Sequence, residues 1–321
     1  MIKTRKILIV GSGYISEHYL KVLSNINVKC VVIGRGSNNI EKLKLSFNNI
    51  EFHSGGIEQY LKKNSIKQFT HFINLVNIEF CIKVTRLLLE FGAKNILIEK
   101  PGGLEIKQLE DLDNYAARLG ANLSIAYNRR FFESINKLIQ LVEDDGGIEN
   151  VSFEFTEWVH TINENNYSRE VMEKWIISNS SHVIDTVFYL IGLPKEIHTH
   201  TLGANQIKWH KSGSVFTGSG ISIKQIPFTY NSNWNSAGRW AIEVTSKSKR
   251  FYLKPMEKLL VQNKGQINLS EINLPNDKDV KFKPGMYDLI CSFLNNDSKK
   301  LLSIREQINH IKIYNKIGLY S

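Results

Sequence analysis

Cysteine is scarce: Cys30, Cys81 and Cys291 are the only three in 321 residues, far apart and each in an apolar stretch. That spacing excludes a disulfide framework and a thiolate metal site, and reads as buried free thiols. No apolar run is long enough to cross a bilayer, and the N-terminus lacks the continuous hydrophobic segment of a secretory signal, so a cytoplasmic protein with no membrane partner is expected. No block of lysine and arginine alternates with aromatic residues, so the formal charge of +10 does not read as a nucleic-acid surface. An acidic small molecule or a phosphate-bearing cofactor suits that charge, as does a merely basic solvated face. No internal repeat is visible. Hydrophobic residues make up 42% of the chain, an ordinary fraction, and the length suffices for two domains with separate cores.

The chain is organised around Arg5 to Leu23, RKILIVGSGYISEHYLKVL. Ile7, Leu8, Ile9 and Val10 form an unbroken apolar run, as in a strand buried on both faces. Gly11 and Gly13 allow a tight turn after it, and Ile15, Tyr19, Leu20 and Leu23 fall mostly on one face of a following helix. Such a strand, turn and helix aims backbone N–H groups at an anion, as in the phosphate grip of dinucleotide-binding βαβ units. The third glycine of that grip is missing; Ser16 stands there, where a small side chain is enough for close helix packing. Gly11, Ser12, Gly13, Tyr14 and Ile15 are therefore the expected phosphate contacts.

Strands and helices alternate over about the first 120 residues. The second strand, Val28 to Ile33, runs into Gly34-Arg35-Gly36-Ser37 without the carboxylate that commonly holds free ribose hydroxyls. Arg35 offers a cationic fork for a 2′-phosphate and Ser37 a further donor, which favours NADP over NAD, although NAD stays possible. A fourth strand, Phe69 to Val76, places Val76 and Asn77 beside the cofactor. The pattern implies an α/β fold: a Rossmann dinucleotide-binding domain over residues 1–122. After Ile148 the periodicity changes to alternation, with Val151, Phe153, Phe155 and Trp158 on one face, and Gly220 to Pro227, Trp240 to Thr245 and Phe251 to Leu253 read as further strands. Residues 123–321 are thus expected to form an α+β domain on a largely antiparallel sheet.

Three stretches carry chemistry. Glu99-Lys100-Pro101 follows the fifth strand, Asn95 to Ile98, where a partly desolvated ammonium beside a carboxylate can orient or protonate a substrate oxygen. In Tyr127-Asn128-Arg129-Arg130-Phe131 the arginines either anchor a crossover helix or neutralise an anionic substrate, and the sequence does not choose between them. In residues 175–192, WIISNSSHVIDTVFYLIG, a helix from Ser180 or Ser181 puts His182 and Asp185 one turn apart on one side, where the carboxylate can fix the ring for proton transfer.

GSGYIS at 11–16, GAKNILIEKPGG at 92–103, YNRRF at 127–131 and SHVIDTVFYLIG at 181–192, in that order, make the chain similar to the glucose-fructose oxidoreductase, inositol dehydrogenase and rhizopine catabolism (Gfo/Idh/MocA) group of NAD(P)-dependent oxidoreductases. The resemblance implies that Lys100 contacts the reacting hydroxyl near the nicotinamide, that Glu99 and Pro101 are its usual neighbours, and that the helix after Ser180 presents His182 to the substrate. Lys100, His182 and Asp185 are then the expected catalytic residues. Lys100, Tyr127, Asn128, Arg129, Trp175 and His182 are the expected substrate contacts, with Glu99 and Lys100 also at the cofactor. It further implies a homodimer or homotetramer acting on a sugar, cyclitol or nucleotide-activated sugar. Three positions depart from the group's pattern: Val76-Asn77-Ile78 replaces a TP-type turn, Cys81 stands where a histidine is common, and Ser178 stands where inositol-type enzymes carry an aspartate. The first two changes are expected to alter the cofactor rim. Ser178 and Cys81 together motivate an alternative, a nonenzymatic NAD(P)-binding regulatory protein; an imine or tetrapyrrole reductase is a third reading.

Overall fold

Ile7, Leu8 and Ile9 have no exposed surface in the computed structural model, which describes residues 5–275 and 277–320. They belong to β1 (Lys6–Val10), the centre of a parallel sheet. The chain continues through α1 (Tyr14–Asn25), β2 (Lys29–Ile33), α2 (Ser37–Ser46), β3 (Glu51–His53), α3 (Gly56–Lys63), β4 (His71–Asn74), α4 (Ile78–Glu90), β5 (Asn95–Glu99), α5 (Ile106–Arg118) and β6 (Asn122–Ala126). The six strands lie in the order β6-β5-β4-β1-β2-β3, with every neighbouring pair parallel. Burial on both faces explains why β1 reads as a solid apolar run rather than an alternating one.

The second unit opens with the short 3₁₀ turn at Asn128–Phe131, followed by α6 (Glu133–Asp144) and β7 (Asn150–Glu154). It continues with α7 (Arg169–Glu173), α8 (Ser181–Ile191), β8 (Pro194–Leu202), β9 (Val215–Ser222), β10 (Pro227–Asn233), β11 (Ala241–Thr245), β12 (Lys249–Leu253), β13 (Leu260–Asn263) and β14 (Ser270–Glu271). Its sheet has the order β14-β13-β12-β11-β7-β10-β9-β8 and is antiparallel except where β7 meets β10. Helix α8 packs on β7 and β11. Phe153, Phe155, Phe188, Phe228 and Tyr230 stack into one aromatic core, with Phe153 and Tyr230 centroids 5.5 Å apart.

Several expectations are corrected. The units do not divide at 122/123: the first comprises residues up to Tyr127 together with Val280–Asn309, and the second Asn128–Asp279 with the segment from His310 onward. The cause is a late return of the chain, through α9 (Asp277–Lys281), α10 (Met286–Leu294), β15 (Leu302–Ser303) and α11 (Ile304–Gly318). Helix α10 packs on α1, and β15 pairs antiparallel with β6, so β6 is not the edge of its sheet. A two-residue strand has no periodicity to read. The stretch Gly220 to Pro227 is not one strand: it joins the end of β9 to the first residue of β10 through a turn at 223–226, closed by Ser222 N–H to Ile226 O and with Gln225 at φ 62°. Trp158 leaves the alternating face and is 46% exposed.

Candidate functional site

In the first unit the turn after β1 is shaped by its glycines. Gly11 has φ +121°, and its N–H bonds Ile33 O at 2.8 Å, tying the end of β1 to β2. A Cβ on Gly11 would lie 2.7 Å from the carbonyl oxygen of Leu75, so only glycine fits. Gly13 is the N-cap of α1 and supplies no side-chain cap; Ser16 N–H bonds Gly13 O at 3.1 Å, and the amides of Tyr14 and Ile15 ahead of it are open to an external acceptor. A Cβ on Gly13 would meet nothing within 4 Å: the space in front of it is open for a ligand. Ser16, in the third glycine's place, is fully buried and donates its hydroxyl to Gly13 O at 2.5 Å, so it braces the turn. Tyr14 is 77% exposed and stacks edge-on against His18.

A cleft of about 560 Å³ opens at this turn, lined among others by Gly11, Ser12, Gly13, Arg35, Val76 and Asn77. Arg35 is exposed, its guanidinium 4.8 Å over the ring of Phe80, which also lines the cleft. Ser37 is the first residue of α2 and is exposed; Asn39, two residues on, lines the cleft. The Val76-Asn77 turn is held from beneath by buried Asn74, which accepts from Val76 N and donates to Cys81 O and Thr85 Oγ1. Cys81 is not on the cofactor rim: it is buried, its thiol directed at Val76 O and pushed up in pKa by burial. Phe80, Asn39 and the Gly55-Gly56 pair are cleft residues that sequence reasoning missed, because they are contributed by loops and helix starts with no motif of their own. A larger hollow of about 900 Å³ lies along β7, β9, β10 and β11 in the second unit, but it has no glycine cradle.

Lys100 stands at the carboxyl end of β5, on the same edge of the sheet as the glycine turn. Glu99 does not lie free beside it: Tyr19 on α1 donates to its Oε1 at 2.8 Å. Burial pushes the Glu99 carboxyl up, opposed by that hydrogen bond and by the Lys100 charge. The Lys100–Pro101 peptide is cis. Pro101 O accepts from Gln307 Nε2 at 2.9 Å, and the same amide donates to the hydroxyl of Tyr127 at 3.2 Å. Tyr127 is therefore a buried brace rather than a substrate contact, and the Gln307 that pins this loop comes from the returning segment.

In the second unit the tandem arginines separate. Arg130 is buried and bidentate to Asp185, Nε to Oδ2 at 2.8 Å and Nη2 to Oδ1 at 2.6 Å, with His310 Nδ1 3.4 Å from Oδ1. Asp185 has no exposed surface and is the counter-ion of Arg130, which corrects its expected role as the carboxylate that orients His182. The helix face alone could not reveal this, because Arg130 reaches Asp185 from fifty-five residues away in sequence. Trp175 is also corrected: it is buried in an aromatic cluster, edge-on to Tyr167 and Trp209. Asn128 is buried. Arg129 lies over Trp240 at 4.5 Å, and the His182 ring centroid is 5.9 Å from the same indole.

A π-helical turn at Ile176–Ser180 precedes α8, a feature that recurs at functional sites. Ser178 is buried and spends its hydroxyl on Val171 O. The carboxylate of this region comes from elsewhere: Glu157 accepts from Ser180 Oγ at 2.6 Å and from Asn179 Nδ2 at 3.0 and 3.1 Å, and lies 3.7 Å from Arg239. Burial raises its pKa, against those partners. A signal for it was present in the sequence, since Glu157 falls in phase with Val151, Phe153 and Phe155 on the buried face of the strand pattern. Among the described residues no group of three or more His, Cys, Asp or Glu could hold a metal ion, and no helix is long and apolar enough to cross a membrane.

The parallel sheet with its glycine turn in the first unit and the mostly antiparallel sheet of the second give the chain a fold that solved oxidoreductase structures share. No protein-family model matches the chain. It is 26% identical over 128 residues to scyllo-inositol 2-dehydrogenase (NADP(+)) IolW of Bacillus subtilis (strain 168), a match over 36% of this chain and about a third (33%) of the relative's length. In structure it is similar to an oxidoreductase from Agrobacterium radiobacter solved with NAD+, L-tartaric acid and magnesium (TM-score 0.79, 10% identity, 99% of this chain and 96% of that one). It is also similar to a super-repressor mutant of Gal80p from Saccharomyces cerevisiae (TM-score 0.78, 12% identity, 98% and 95%).

Proposed function

We propose that this chain is an NAD(P)-dependent oxidoreductase of the Gfo/Idh/MocA group that moves hydride to or from a secondary alcohol or ketone of a sugar, cyclitol or nucleotide-activated sugar. The observation that carries the reading is the uncapped, side-chain-free cradle at Gly11 and Gly13 on the same sheet edge as Lys100. Gly11, Ser12, Gly13, Tyr14 and Ile15 would hold the pyrophosphate, with Val76 and Asn77 along the cleft. When bound, the nicotinamide supplies or accepts the hydride at its C4. Lys100 and His182 would bind the reacting oxygen. In the reducing direction one of them gives it a proton as hydride reaches the carbon; in the oxidising direction the hydroxyl proton returns to it. A homodimer or homotetramer in the cytoplasm is the proposed setting.

Filling the cradle tests the reading. Gly13→Val adds atoms only to open space, so the fold should keep its melting temperature while NADPH affinity falls at least about tenfold, as loss of a close backbone approach to phosphate requires. Fluorescence titration with NADPH checks this, and unchanged affinity would discard the phosphate assignment. NADP is the proposed preference, supported by Arg35 on its Phe80 platform. Arg35→Asp removes a phosphate partner and adds repulsion, so NADP should lose about tenfold or more in affinity and NAD far less. Equal losses would refute the 2′-phosphate role. The regulatory reading is kept alive by one comparison, the Gal80p likeness, and by Ser178 in the aspartate's place. Reduction of NADP+ by scyllo-inositol or a related cyclitol favours the enzyme; tight cofactor binding without turnover of any cyclitol or sugar favours the regulator.

A further inference from the structure

The tandem arginines of the Tyr127–Phe131 stretch have unlike surroundings. Arg130 gives the Nε–Nη2 edge of its guanidinium to both oxygens of Asp185, whereas Arg129 has no carboxylate within 4 Å among the described residues. The Arg129 guanidinium is stacked 4.5 Å over Trp240 and 5.6 Å over Phe132, and its Nε is buried with no acceptor. Burial draws its pKa down to about 10, so it is still charged at neutral pH. A second guanidinium, that of Arg239, lies 4.8 Å from the same Trp240 ring and 4.5 Å from Trp158. The buried carboxylate of this neighbourhood, Glu157, is already engaged by Ser180, Asn179 and Arg239, and Glu257 acts on Arg129 only from beyond ion-pair distance. Arg129 is therefore the guanidinium of the cluster with no carboxylate at ion-pair distance among the described residues. His182 shares the Trp240 indole with both arginines.

A guanidinium laid on an indole is fixed in plane, so its N–H donors point along a set direction and suit a planar or tetrahedral oxyanion. We infer that Arg129, supported by Arg239 and Trp240, is the anion-recognition residue of the substrate site, and that the substrate is a polyhydroxylated ring bearing a carboxylate or a phosphate. This rests on the proposed assignment of His182 to the substrate.

Binding to the full-length protein with NADP+ present, read by isothermal calorimetry, tests the inference without turnover. The probes are two neutral compounds, myo-inositol and D-glucose, and two anionic counterparts, myo-inositol 1-phosphate and D-glucuronate. At least one anionic probe should bind tenfold or more tightly than its neutral counterpart, and Arg129→Gln should erase that difference while the neutral probe keeps its affinity. Preference for glucuronate assigns a carboxylate, preference for the inositol phosphate a phosphate. Arg129→Lys, which retains charge without the fork, should keep a threefold or smaller preference, and this variant decides the matter if Arg129→Gln does not fold. Anionic and neutral probes within twofold of each other, including no binding by any of the four, overturns the inference, as does a variant that weakens both kinds alike. Wild-type protein that prefers an anion yet transfers no hydride would sink the oxidoreductase reading alone. Turnover of neutral rings as readily as charged ones would sink the anion site alone.

Discussion

Lys100→Met is expected to lower turnover on the order of 100-fold or more while leaving NADP(H) affinity within about twofold of wild type. Methionine keeps the length and apolar stem of the side chain but removes the ammonium. Lys100 sits at the carboxyl end of β5, and the following Pro101 carbonyl is pinned by Gln307, so the loop should hold its shape when the charge is gone. On the proposed reading, what disappears is the group that would compensate charge developing on the substrate oxygen. That charge exists mainly in the transition state, so the loss should fall on kcat more than on KM. Steady-state kinetics with NADP+ and whichever sugar or cyclitol, neutral or anionic, the wild type turns over measure the split. A variant that turns over at the wild-type rate would mean that Lys100 does no chemistry, and the reading of Glu99-Lys100-Pro101 as the catalytic stretch would be abandoned.

Asp185→Ala should cost about 3–5 kcal/mol, because it strands the buried Arg130 guanidinium without its counter-ion. Arg130 reaches Asp185 with two hydrogen bonds, and neither group has much solvent to fall back on: their side chains are 7% and 0% exposed. All five tryptophans, at 158, 175, 209, 234 and 240, belong to the second unit, so urea denaturation followed by tryptophan emission reports this unit alone. The midpoint should fall sharply for Asp185→Ala. A midpoint unchanged from wild type, accompanied by a collapse in kcat, would instead restore Asp185 to the catalytic role that its spacing from His182 first suggested.

The fold was legible where one residue type had to repeat. Buried parallel strands need unbroken apolar runs and their helices need an apolar stripe, so β1 to β6 and α1 to α5 stand out by periodicity, and the change to alternation at Val151 marks the second sheet. The glycine turn was equally legible, since positive φ at Gly11 and open space at Gly13 are demands on residue type at fixed positions. The return of α10 and β15 to the first unit was not, because a two-residue edge strand and a generic amphipathic helix carry no address.

The candidate site shows the same limit residue by residue. Spacing placed His182 and Asp185 on one helical side, but spacing says nothing about a third group arriving from another element, and Arg130 claims Asp185. Tyr127 and Trp175 have the chemistry of ligand contacts and are instead buried against Gln307 and Trp209. Glu157 and Phe80 enter the clusters that matter without any motif. The sequence by itself determined most element types, the glycine turn and the lysine at the strand end, because these depend on backbone conformation and on short-range periodicity. Only the tertiary structure decided which polar groups meet, since desolvation makes each buried charge take whichever partner the packing brings to it, regardless of distance along the chain.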